Sequence, residues 1–207
     1  MKSNWEVTRE RSRYHFDTTV MDSRWDTVIP VRKFANTWAQ ELQIAIDASH
    51  PVTWRTRGRE NDPLKRKSQE YDQEEYDLDR IGMARDSILT NLNYNLTPEL
   101  QKIADSFDLD QVMTRVHVQW PGQVWNLHMD KLEKWMPSNP AQVKRYFIQL
   151  TDWQPGHFWS FGNYTWQGWT AGECVTFDWI NVPHSTANAG HTPRVTLQIT
   201  GVEQLHA

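Results

Sequence analysis

Cysteine is almost missing from this chain: Cys174 is the single one among 207 residues, so no internal disulfide can form. Its setting, Glu173-Cys174-Val175-Thr176-Phe177, reads as a buried strand thiol. No apolar run approaches the roughly 18 residues a membrane helix requires, and the opening Met1-Lys2-Ser3-Asn4-Trp5-Glu6 lacks the apolar stretch of an export signal. A soluble chain in the cytoplasm, with no membrane partner, is the expectation. A dominant charge is lacking as well. Lys+Arg 22 against Asp+Glu 26 leaves a net charge of −4, so no general attraction to nucleic acid is expected, and such a role would need a local patch. Repeats and low-complexity tracts are absent too, and the length suits one domain, 1–207, with a single sizeable core. Tryptophan is what the chain has in excess. There are 12, most of them from Trp120 onward, which suggests an aromatic-rich site or bulky strand packing.

The first half reads as helical and irregular. Residues 1–33 are mixed and polar, with Trp5, Tyr14, Phe16 and Trp25 as anchors, and are expected to be irregular or edge-strand structure. Phe34, Trp38, Leu42 and Ile46 recur every four residues without Gly or Pro, which predicts an amphipathic helix over 34–48 that His50-Pro51 ends. Arg55, Arg57, Arg59, Lys65, Arg66 and Lys67 are followed by Glu70, Asp72, Glu74, Glu75, Asp77 and Asp79. A solvated loop is the plain reading of 54–79, and a mobile lid or substrate-recognition loop the sharper one. Ile81, Ile88, Leu89 and Leu92 suggest a second helix over 78–93. Thr97 before Pro98 reads as an N-cap with proline at the first helical position, and Leu100, Ile103, Ala104 and Phe107 make an apolar stripe.

Beyond that the character changes to short strands, over 111–120, 123–128, 144–151, 157–161, 173–179 and 193–200. Pro121-Gly122, Pro155-Gly156 and Ala171-Gly172 mark turns. Helices first and strands after predict an α+β fold, with N-terminal helices (within 1–108) covering one face of a jelly-roll core (109–201). In the last strand, Arg194, Thr196 and Gln198 fall on one face and Val195, Leu197 and Ile199 on the other. The apolar face is expected to pack on the helices. A cation, a hydroxyl and an amide in a row suit a barrel lumen that holds an acidic ligand; a surface salt bridge is the plainer reading of Arg194.

His128-Met129-Asp130 and the later His184 supply two imidazoles and one carboxylate. Such a set can occupy one face of an octahedral metal and leave the opposite face open, as in non-haem Fe(II) oxygenases. Alternation puts His128 and Asp130 on one strand face with Met129 turned away. Alone, a His-x-Asp is a weak signal in a chain with 8 histidines, an exposed His beside a turn Asp being the plain alternative. The order His-x-Asp, His184, Arg194 makes it specific. His117, His157, His191 and His206 lie near turns or at the terminus and are read as structural or exposed.

In that order the residues resemble the Fe(II)/2-oxoglutarate-dependent oxygenases, over about residues 112–201. Within that superfamily the phrasing is loosely similar to small phage-encoded members and to the aspartyl/asparaginyl and prolyl hydroxylase branches. The resemblance implies a cupin-like double-stranded β-helix in which His128, Asp130 and His184 hold Fe(II), 2-oxoglutarate chelates the iron, and dioxygen is the oxidant. Arg194 and Thr196 match the family's Arg-x-Ser/Thr pair for the far carboxylate. Arg145-Tyr146-Phe147-Ile148-Gln149-Leu150 resembles the strand that lines the cosubstrate pocket; Tyr146 and Gln149 alternate to opposite faces, and which one turns inward is left open. The implied reaction hydroxylates a C–H bond of an unidentified substrate (a protein side chain, an amino acid or a small metabolite) and releases succinate and CO2. A carboxylate at Asp130, rather than Ala or Gly, disfavours a halide-binding variant.

Gln119, Trp120, Trp125, Trp153, Trp159, Trp166 and Trp169 are candidate substrate contacts, with core packing the default for tryptophan. Two other classes stay open. A metallo-cupin of another reaction type would bind metal without 2-oxoglutarate. A non-catalytic jelly roll whose tryptophans stack on sugars would keep its glycan after chelation of any metal.

Overall fold

Short alternating runs cut by turn residues satisfy their backbone hydrogen bonds by pairing, and the computed structural model has that character over residues 28–51, 87–162 and 164–204, the ones it describes. Expectations for residues 1–27, for the charged 54–79 stretch and for the start of the 78–93 helix lie outside them. The strands are β1 (Ile29–Lys33), β2 (His50–Pro51), β3 (Ser87–Thr90), β4 (Leu109–Gln119), β5 (Val124–His128), β6 (Val143–Gln149), β7 (His157–Phe161), β8 (Tyr164–Trp166), β9 (Glu173–Thr176), β10 (His184–Asn188) and β11 (Arg194–Glu203). The helices are α1 (Ala39–Asp47) and α2 (Pro98–Asp105). No helix among the described residues is long and apolar enough to cross a membrane.

One sheet runs β1-β9-β6-β11-β4-β3-β2 and the other β5-β10-β7-β8. From β4 onward the chain passes from the first sheet to the second and back, through β5, β6, the β7–β8 hairpin, β9, β10 and β11. That winding makes an α+β double-stranded β-helix, with the two sheets as facing walls. Gly156, in the turn before β7, has φ 97°, and a Cβ there would stand 2.4 Å from the backbone nitrogen of Gly190, so the close approach of the two loops needs glycine.

The central strand β11 is buried on both faces. Its Val195, Leu197 and Ile199 pack with Val116, Val118, Ile148 and Leu150 against Trp38, Ala45, Leu100, Ile103 and Ala104 of the helical layer. Between the sheets lies a second, aromatic core that includes Phe147, Trp159, Phe161, Trp166, Trp169, Phe177 and Trp179. Most of the tryptophan excess is thus bulky packing. Cys174 belongs to the helical-side core, and burial pushes its thiol up to about 12, which keeps it protonated and unreactive.

The helical layer departs from the sequence reading in three places. Helix α1 starts at Ala39 and not at 34, because the Phe34 amide donates to the Gly172 carbonyl (2.9 Å) and extends the β1 edge, while Trp38 Nε1 donates to the Leu150 carbonyl (3.1 Å). The four-residue spacing of Phe34 and Trp38 marks two anchors, not two helical turns. The described part of the 78–93 helix is strand β3, paired with β4 through Ile88–His117 and Leu89–Val116 and ended at Asn91, whose φ is 62°. Thr97 stands at the N-cap of α2 but makes no side-chain cap. The cap comes instead from the buried Glu41 of α1, whose two oxygens accept from the amides of Glu99 (2.8 Å) and Leu100 (3.1 Å). A carboxylate at a helix N-terminus also meets the positive end of its dipole. Glu41→Ala should therefore cost about 2–3 kcal/mol in chemical denaturation, while Thr97→Ala should cost less.

Candidate functional site

His128 ends β5 and His184 opens β10, and the two are direct partners in the antiparallel ladder. Residues so placed project side by side, and the imidazole centroids are 4.2 Å apart. Alternation along one strand does not deliver the carboxylate, since β5 stops at His128; the irregular backbone that follows carries Asp130 round to the pair. Asp130 Oδ1 lies 3.8 Å from His128 Nε2, and Oδ2 lies 3.8 Å from His184 Nε2. The three ligand atoms fall within 4.8 Å of one another, in reach of a single ion with bonds of about 2 Å. Two imidazoles and one buried carboxylate fit a first-row divalent metal such as Fe(II).

The cavity between the sheets is lined by His128, His184 and Trp125 near this cluster, by Phe147, Trp159 and Arg145 along the wall, and by Arg194, Thr196 and Gln198 of β11. Arg194 is 2% exposed. Gln119 of β4, its ladder partner, accepts from Arg194 Nη2 (2.8 Å) and Nε (3.2 Å) and donates from Nε2 to Thr186 Oγ1 (2.9 Å). Arg194 Nη1 donates to Thr196 Oγ1 (3.3 Å), the Thr196 hydroxyl donates to Gln149 Oε1 (3.0 Å), and the guanidinium carbon sits 4.6 Å from the Trp159 ring centre. The arginine is thus held in one orientation by three neighbours, Gln119, Thr196 and Trp159. Beside it, the Trp159 indole N–H and the Gln149 amide nitrogen are buried with no partner. Buried donors without partners cost about 1–3 kcal/mol each, so this end of the cavity is built to receive an acceptor-rich ligand.

Of the two strand residues left open by alternation, Gln149 faces this interior. Tyr146 faces the helical layer, its ring tilted against Phe107 with centroids 4.4 Å apart, and so points away from the cosubstrate pocket. Trp125 and Trp159 line the cavity, Trp166 and Trp169 lie in the aromatic core, and Trp120 is solvent-exposed. His117 lines the cavity, 2.7 Å from the Gln198 amide.

His157 is structural. Its Nε2 donates to the Thr192 carbonyl (3.1 Å), its Nδ1 accepts from the Gln154 amide (3.3 Å), and its ring stacks on Trp169. Burial holds its pKa below the ordinary value, only partly opposed by the Thr192 bond. A histidine depressed in the folded state stabilises the fold above its unfolded pKa of about 6.5, and that contribution is lost as pH falls below it. Between about pH 7.5 and 5, wild type should lose more stability to denaturant than His157→Gln does.

Arg145 is the most consequential residue at the site beyond those the sequence motif marks. It projects inward from the middle of β6, and its Nη1 pairs with Asp130 Oδ2, the two side chains being 4% and 8% exposed. Arg115, on β4, stands close to both. Burial first, then the charge of Arg145, pushes its guanidinium down to about 10, with Asp130 opposing. An inward-facing arginine in the alternation of Arg145, Phe147 and Gln149 was the available signal.

No family model matches the chain, and no curated protein matches it. Solved structures do. The non-haem alpha-ketoglutarate-dependent epimerase SnoN from nogalamycin biosynthesis is similar over 97% of this chain and 84% of its own, with a TM-score of 0.55 and 12% identity. The non-haem monooxygenase ThoJ, as a nickel complex, is similar over 87% and 75% (TM-score 0.49, 14% identity), and a Pseudomonas putida prolyl-4-hydroxylase over 65% and 84% (0.44, 17%). At these identities the likeness is one of fold. This chain has the fold of SnoN, and its chemistry must be argued from its own residues.

Proposed function

We propose that this protein is an Fe(II)- and 2-oxoglutarate-dependent oxygenase that hydroxylates a C–H bond of a protein side chain, an amino acid or a small metabolite. One observation carries the reading: a single cavity is lined at once by the two ladder-paired histidines and by Arg194 with Thr196. A metal held by His128, Asp130 and His184 would share this cavity with a buried guanidinium, the pairing a dicarboxylate cosubstrate needs. SnoN, which shares the fold, is described as alpha-ketoglutarate-dependent, in agreement with this.

When bound, Fe(II) with 2-oxoglutarate supplies the oxidative chemistry, coupling dioxygen reduction and decarboxylation to succinate and CO2 with oxidation of the substrate. This chain's residues do the rest. Arg194 neutralises the far carboxylate through its planar fork, in an orientation that Gln119 and Trp159 set. The Trp159 indole and the Gln149 amide nitrogen are the remaining donors available to that carboxylate, and Thr196 adds its hydroxyl by exchanging its bond to Gln149 Oε1 for one to the ligand. Phe147, Trp125 and Trp159 wall off water, which strengthens each of these contacts. A reducing cytoplasm suits both a ferrous site and the buried free thiol.

Purified protein supplied with Fe(II) should convert 2-oxoglutarate to succinate in air, slowly in the absence of the true substrate, and chelation should stop the conversion. Metal binding with neither turnover nor 2-oxoglutarate affinity would defeat this reading and favour a metallo-cupin of another type. Glycan binding that persists after chelation would favour the lectin-like alternative.

A further inference from the structure

We propose that Arg145 is a positioning residue that engages one oxygen of Asp130 and leaves the carboxylate a single oxygen to offer a metal. The inference rests on the iron reading above. Arg145 comes from β6 in one sheet and Asp130 from just past β5 in the other, so their ion pair spans the gap between the walls. The guanidinium is fixed from behind. Its Nε donates to Thr200 Oγ1 (3.1 Å). With the Gln198 amide oxygen turned towards it, Nε and Nη2 also donate to that oxygen (3.0 and 2.9 Å), and the Gln198 nitrogen then donates to His117 Nε2 (2.7 Å). His117, Gln198, Thr200 and Arg145 form a braced chain that ends on Asp130 Oδ2.

The chemical consequence follows from counting ligand positions. Two histidines and a one-oxygen carboxylate leave three positions of an octahedral metal open. A 2-oxo acid would take two of them and leave one for the oxidant. A carboxylate free to chelate with both oxygens would take one of these three. Arg145 engages the second oxygen in a buried ion pair, and its brace keeps it from turning away.

The test compares Arg145→Met, which removes the cation, and Arg145→Lys, which keeps it, with wild type, each loaded with Co(II). The visible absorption of Co(II) reports how many ligand atoms surround the ion, with no need for turnover. The Met variant should bind Co(II) within about tenfold of wild type but with a changed spectrum, and 2-oxoglutarate affinity of the loaded protein should fall tenfold or more. The Lys variant should restore much of both. An unchanged spectrum and unchanged 2-oxoglutarate affinity in the Met variant would overturn the proposal. So would parallel loss of Co(II), 2-oxoglutarate and melting temperature in both variants, which marks a merely structural ion pair. Failure of the oxygenase reading looks different: wild type itself would take Co(II) but no 2-oxoglutarate, while the spectral change in the Met variant would still report on Asp130. A wild type that binds no Co(II) overturns both.

Discussion

Arg194→Ala should weaken 2-oxoglutarate binding by tens-fold or far more while metal binding hardly changes. Arg194 lines the same cavity as His128 and His184 and is 2% exposed, so a carboxylate there exchanges its hydration for the guanidinium. Losing one partner of such a desolvated pair costs on the order of 2–5 kcal/mol, and each 1.4 kcal/mol is a factor of about ten. Thr196→Val should cost less, roughly 1.5–3 kcal/mol for one hydroxyl bond to a charged group. The Thr196 hydroxyl also bridges Arg194 and Gln149, so part of that loss would be looser positioning of those two side chains. Titration of 2-oxoglutarate into the Mn(II) forms of wild type and both variants checks this, and equal affinities would remove the cosubstrate assignment while leaving a metal site in place.

Alanine at His128, Asp130 or His184 should remove most iron binding, yet the three variants should differ in stability. The histidine variants leave both hydrophobic cores intact and should fold. Asp130→Ala instead strands the buried Arg145 guanidinium, and breaking a buried ion pair costs about 3–5 kcal/mol. In metal-free protein, Asp130→Ala should therefore melt well below the two histidine variants. Full iron occupancy in all three would refute the metal assignment, and equal melting temperatures would refute the weight given to the ion pair.

What the sequence revealed follows from which periodicities were unambiguous. Along β11, polar and apolar residues alternate without exception from Arg194 to Ile199, and the structure turns Val195, Leu197 and Ile199 to the helices and Arg194, Thr196 and Gln198 to the cavity. The apolar stripe of α2 was equally plain. Ile88 and Leu89 were not, because so short an apolar run fits a helix or a strand, and only pairing with β4 decides. The face of Tyr146 depended on Phe107, from a different element, being there to receive it. Long-range partners were the least legible. That Glu41 caps α2, that Gln119 orients Arg194 and that Arg145 meets Asp130 are contacts across 58, 75 and 15 residues that no local pattern announces.

The imidazoles stand on β5 and β10 of the narrow wall, and Arg194 and Arg145 stand on β11 and β6 of the broad one. A ligand that touches both sets is mechanically a cross-brace between two plates. Loading the cavity should quiet the breathing of the plates against each other, so that amide hydrogens of β10 and β11 exchange more slowly together, including those far from any contact with the ligand.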